Sequence, residues 1–163
     1  MNSLSDTYDF CHEEADKAVR FIERYCTHVS GAQTGQPIKL ESWQSQLVRN
    51  AVGMRDRLGR RRYRFIWLEA PKKSGKSTLA AAILLYMLLV DKENNAECCV
   101  VASSNKSAKN TLCIVKRMIE NDRDLNAVCY VRNGCVYYKG SSLYFIHDVK
   151  KISSGRNISF AVF

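Results

Sequence analysis

Residues 63–78 read Tyr-Arg-Phe-Ile-Trp-Leu-Glu-Ala-Pro-Lys-Lys-Ser-Gly-Lys-Ser-Thr, and this stretch limits what the chain can fold into. Tyr63–Ala70 is a short apolar run of β-forming residues, which predicts a buried strand. Pro71–Gly75 is a loop, and the continuously apolar stretch that follows predicts a helix over Lys76–Val90. Between strand and helix, Ala70–Thr78 matches the pattern GxxxxGK[ST], with Ala70 in place of the first glycine. A phosphate-binding loop needs backbone N–H groups curled around an anion, and Gly75 permits the backbone angles and close approach this requires. Lys76 supplies a cation for the β- and γ-phosphates, Ser77 a hydroxyl for Mg²⁺, and the helix directs its positive end at the same phosphates. Ala70 suits the first position provided it takes no positive φ. Lys72 and Lys73 lie inside the loop, either near the γ-phosphate or solvated.

The rest of the chain supports an α/β reading. Strand, loop and helix are followed by a strand over Glu97–Ala102 and a helix over Asn105–Glu120, a βαβ pattern that implies a parallel sheet. Val128–Arg132, Cys135–Tyr138 and Leu143–His147 read as short strands separated by Asn133-Gly134 and Lys139-Gly140 turns, and Asn-Gly is a strong hairpin signal. Ile158–Phe163 reads as a last apolar strand. Upstream, helices are expected over Asp9–Val29 and Glu41–Met54, with a loop over Ser30–Pro37. The implied organisation is a helical segment over residues 1–54 and a nucleotide-binding core over 55–163.

With 25 Lys+Arg against 16 Asp+Glu, the net charge of +9 favours a polyanionic partner such as nucleic acid. Six of the ten residues from Arg55 to Arg64 are arginines. Such a run is either a solvated face or a contact for the DNA backbone, with Arg60, Arg61 and Arg62 as the candidates. The seven cysteines show no metal-ligand spacing and suit small core positions in a reducing compartment. His12, His28 and His147 are scattered. Asp148 follows a strand-like run but lacks a following Glu. The polar, acidic start of the chain is no signal peptide, and Leu79–Val90 is too short to span a bilayer.

The wording of the loop is more specific than a generic phosphate-binding motif. Ala70-Pro-Lys-Lys-Ser-Gly-Lys-Ser77 resembles the variant Walker A of tailed-phage terminase large subunits. Gly35-Gln-Pro-Ile-Lys-Leu40-Glu-Ser-Trp43-Gln44 is similar to that family's upstream Trp-Gln segment, and Val100–Asn105 to its next strand and loop. The resemblance covers about Phe21 to the C-terminus. It implies an α/β P-loop NTPase with a RecA-like parallel core, ATP and Mg²⁺ as cofactors, and ATP-driven translocation of double-stranded DNA into procapsids in the full-length family. It also implies a portal and a small terminase subunit as partners, a possible homo-oligomer, no membrane partner, and a place of work in the host bacterial cytoplasm.

Carried over position by position, Gln44 lies at the adenine, and Lys73, Ser74, Gly75, Lys76, Ser77 and Thr78 hold the nucleotide. Lys76 and Lys72 are the catalytic cations and Ser77 the metal ligand. Lys72 stands where the family often has an arginine, and Ser107-Ala108 where it has Gln-Ala. Ile158–Phe163 resembles the strand whose next residues would be the family's Asp-Glu pair. The expectation is therefore an N-terminal terminase ATPase region that binds ATP with little turnover by itself and has a marginally stable or self-associating sheet edge. The alternatives are a non-catalytic nucleotide- or DNA-binding prophage remnant and another P-loop DNA-dependent ATPase.

Overall fold

A computed structural model describes residues 8–63, 65–91, 95–102, 105–146 and 157–163, without the side chains of 105–108. Its central element is α3 (Lys76–Leu89). Leu79, Ala81, Ala82, Leu84, Leu85, Tyr86, Met87 and Leu88 are all buried, so the helix is apolar around most of its circumference. A helix of that kind is stable only when covered on all sides. It packs against α4 (Asn105–Asn121), α1 (His12–Tyr25) and the sheet strands β3 (Glu97–Val101), β6 (Ser141–Ile146) and β7 (Ile158–Val162). Each fully covered Leu contributes about 1.5–3 kcal/mol.

The main sheet has five strands in the order β4-β5-β6-β3-β7. β3 pairs in parallel with β6 and with β7. The hairpins of β4 (Tyr130–Arg132), β5 (Cys135–Tyr138) and β6 extend the sheet in antiparallel fashion. Both hairpin turns are built from left-handed residues: Asn133 and Gly134 at φ 50 and 81, Lys139 and Gly140 at φ 43 and 86. Two consecutive positive φ values give the turn whose twist matches its flanking strands.

α1 and α2 (Ser42–Gly53) pack on each other, and their buried Ala18, Ile22, Val48 and Val52 join those of α3, α4, β3 and β6 in one core. α1 is shorter than its periodicity suggests. Asp9–Phe10 forms β1, paired antiparallel with β2 (Met54–Arg55), and Thr27 bridges to Pro37. A further helix, α5 (Arg123–Val128), was not anticipated; Asp122 caps it by accepting from the Asp124 and Leu125 N–H groups. No helix among the described residues is long and apolar enough to cross a membrane.

The buried strand expected over Tyr63–Ala70 is corrected. Residues 65–70 join no sheet, and Phe65 and Trp67 are each 91% exposed. β propensity supplies side chains suited to a sheet, but a strand exists only through a hydrogen-bonded neighbour. Among the described residues none runs beside this segment. Leu68 alone of the run packs onto the main core. His147 and Asp148 lie outside the described residues.

Candidate functional site

The loop before α3 is shaped by two left-handed residues. Lys73 has φ 68 and Gly75 φ 81, and Gly75 is the N-cap of α3. The turn is closed by the Ser74 N–H donating to the Pro71 carbonyl at 3.4 Å. Ala70 keeps a negative φ, so the alanine in the first loop position carries no backbone penalty. Lys76 Nζ folds back across the loop, donating to the Ala70 carbonyl and to the Pro71 carbonyl at 2.6 Å. Ser77 is exposed at the first turn of α3, and Thr78 is half-buried.

This loop borders a cavity of about 660 Å³, within the range of small-molecule sites. Lys73, Ser74, Gly75 and Thr78 form one wall; Ile22, His28, Gln36, Pro37, Ile38 and Gln44 face them from α1, the 27–40 loop and α2. The sequence shows Gln36 and Pro37 within a recognisable segment but gives no hint that His28 and Ile22 share the cavity. Their placement depends on how α1 packs against α3.

Gln44 is buried, 9% exposed. It forms a capping box with Glu41 at the start of α2, its Oε1 accepting from the Glu41 N–H at 3.0 Å. Trp43 Nε1 donates to Glu41 Oε2 at 2.6 Å, which holds the same corner. A Cβ built on Gly75 would lie 3.4 Å from Gln44 Nε2, so the amide sits directly over the helix cap.

A phosphate chain fits these residues. The loop presents the positive end of a 14-residue helix and three lysine side chains. Ser74 Oγ is buried with no hydrogen-bond partner among the described residues, a polar atom the free loop leaves unsatisfied. Among the described residues, no three His, Cys, Asp or Glu side chains converge on a metal site.

The three arginine candidates separate in the fold. Arg61 pairs with Asp91 at 2.7 Å and donates to the Ser159 carbonyl at 3.4 Å. Arg55 pairs with the other oxygen of Asp91 at 3.2 Å. Arg60 pairs with Asp56 at 2.6 Å while its side chain stays 66% exposed. Arg62 lies over the Tyr8 and Tyr63 rings. Arg61 therefore ties the 54–62 hairpin to the C-terminal end of α3 and to β7.

Comparison with known proteins agrees with this arrangement. A sequence comparison with curated proteins gave no match. The crystal structure of the HK97 bacteriophage large terminase is similar at a TM-score of 0.73 and 20% identity, over 90% of this chain and 30% of that one. At that identity the likeness shows the fold. The chain thus spans about 30% of the length of the terminase it matches. The family model described as the terminase large subunit ATPase domain matches residues 42–145, more than half of the chain, and the chain belongs to that family.

Proposed function

We propose that this chain holds ATP with Mg²⁺ in the cavity between α2 and the Ala70–Thr78 loop, as the nucleotide-binding part of a motor that packages double-stranded DNA. One observation carries this reading. Gly75, in the left-handed conformation, caps the long buried helix α3 at the mouth of the cavity, and that is how a chain presents backbone N–H groups and a helix dipole to phosphates. On binding, Lys76 exchanges the Ala70 and Pro71 carbonyls for phosphate oxygens. Lys73 lines the cavity beside it, and exposed Lys72 reaches the terminal phosphate. Bound Mg²⁺ neutralises charge on the triphosphate, and Ser77 is its ligand from this chain. Ile22, His28, Gln36 and Gln44 form the base-side wall, and Lys73, Ser74, Gly75 and Thr78 the phosphate side.

DNA, portal, small terminase subunit and further copies of the chain are the partners the family implies, in the host bacterial cytoplasm. For DNA, Arg60 and Arg62 are the backbone contacts, since Arg61 is engaged by Asp91 and β7. Replacing each of the two with Glu should lower the slope of log affinity against log salt by about 1.

Competition of ATP, ADP and AMP against a fluorescent ATP analogue tests phosphate capture. Affinity should fall stepwise as phosphates are removed. AMP binding as tightly as ATP would contradict a phosphate-directed site.

A further inference from the structure

The edge of the sheet farthest from β7 has its own chemistry. Cys129–Ile146 holds four tyrosines, Arg132 and Lys139, and no Asp or Glu. β4 is the end strand there among the described residues, and all three of its residues are exposed. The register sets Tyr130 opposite Tyr137 and Arg132 opposite Cys135, so these four share one face of the hairpin. Val136, on the other face, is fully buried in the main core, which fixes the hairpin as a platform.

Tyr130 and Tyr137 stack with ring centroids 5.0 Å apart and an interplanar angle of 14°. Tyr137 is the inner ring, half-buried on β5. Tyr130 is the outer one, 59% exposed, so its second face is presented beyond the sheet edge. Cations flank the pair along the strand direction. Arg132 lies near enough to act on the Tyr137 phenol. At the other end, Lys139 Nζ stands 5.3 Å from the Tyr138 ring centroid.

A flat aromatic face between two cations, with no carboxylate on the hairpin, suits an unpaired base between two phosphates. A base already stacked inside a duplex has no face to offer Tyr130. A second copy of the chain is the less suitable occupant, because a cation on an edge strand opposes edge-to-edge pairing. We propose that the β4–β5 hairpin binds single-stranded DNA, with Tyr130 stacking on a base and Arg132 and Lys139 contacting the backbone. This surface is distinct from Arg60 and Arg62, whose hairpin is tied by Arg61 to β7, about 19 Å away across four strand spacings. A failure here leaves the nucleotide reading of the cavity untouched.

The test is fluorescence anisotropy of a labelled oligothymidylate on the wild-type chain and on Tyr130→Ala, Tyr130→Phe and Arg132→Gln, with thermal unfolding to check each fold. Tyr130→Ala should weaken binding by about tenfold or more, and Tyr130→Phe, which keeps the stacking face, should bind as wild type. Arg132→Gln should lower the slope of log affinity against log salt by about 0.7. A long linear duplex at equal phosphate concentration should compete poorly. Unchanged binding by a folded Tyr130→Ala overturns the proposal, as does a loss in Tyr130→Phe equal to that in Tyr130→Ala. Duplex competing as well as single strand overturns it too, and tighter binding of oligouridylate overturns the choice of DNA. Self-association that Tyr130→Ala abolishes in sedimentation velocity, with no oligonucleotide bound by the wild type, assigns the edge to a second copy instead.

Discussion

Two residues in the loop before α3 share a left-handed backbone but differ in side chain, and exchanging their chemistry should move stability in opposite directions. Gly75 has φ 81 and Lys73 φ 68. Placing a Cβ in this region costs about 1–2 kcal/mol, while replacing glycine removes about 0.7 kcal/mol of unfolded-state entropy. Gly75→Ala should therefore destabilise by about 1 kcal/mol. Its new methyl would meet Gln44 Nε2 at 3.4 Å, an ordinary contact, so steric clash adds little. Lys73→Gly has the reverse sign and should stabilise by about 0.5 kcal/mol. For a chain of this size these values amount to a Tm lower by about 2–4 °C and higher by about 1–2 °C.

Nucleotide binding should not follow stability. Lys73→Gly removes a cation from the cavity wall and should weaken ATP-analogue binding by about tenfold while raising Tm. A strained residue that loses function when relaxed is strained for function. Differential scanning calorimetry and binding titrations on the two variants decide the matter. A lower Tm for Lys73→Gly, or unchanged binding, would refute the assignment of Lys73 to ligand capture.

Other consequences can be checked independently. The Tyr86 hydroxyl is buried without a hydrogen-bond partner among the described residues, so Tyr86→Phe should stabilise by about 1 kcal/mol in chemical denaturation. Burial, then the Glu14 and Asp91 charges, pushes the Tyr86 pKa up to about 12. A raised folded-state value gives stability that is complete below about pH 10 and lost as pH rises through about 12, and Tyr86→Phe should make that alkaline fall shallower. Arg61→Ala, which strands half-buried Asp91 with Arg55 alone, should cost about 1–3 kcal/mol by thermal unfolding, whereas Arg60→Ala should cost less than about 1 kcal/mol. β7, the end strand of the sheet among the described residues, and the exposed Phe65 and Trp67 predict concentration-dependent association in sedimentation velocity, reduced in Phe65→Ser/Trp67→Ser; a monomer with a sharp, concentration-independent transition would contradict this.

What the sequence made legible was what local chemistry determines. The buried helix from Lys76, the Asn133-Gly134 and Lys139-Gly140 hairpins, and the glycine that caps α3 each follow from residues within a few positions of one another. The run 63–70 was misread because its side chains suit a strand but pairing is non-local. α5 has six residues, too few for a periodic signal, and its one clue is the capping Asp122. At the site, the residue types of the loop were legible and the opposing wall was not. That Gln44 points donors at Gly75 depends on Glu41, an uncommon capping residue, being held by Trp43. Likewise, six arginines in ten residues gave no sign that Arg61 is committed to Asp91, a partner thirty positions away.

The central claim is that the Ala70–Thr78 loop is a working phosphate site, and Lys76 tests it most directly. Calorimetric titration of a non-hydrolysable ATP analogue with Mg²⁺ should show binding to the wild-type chain and a loss of at least about tenfold in Lys76→Ala, with the variant still folded. Equal binding by the two proteins, or none by a folded wild type, would contradict the account.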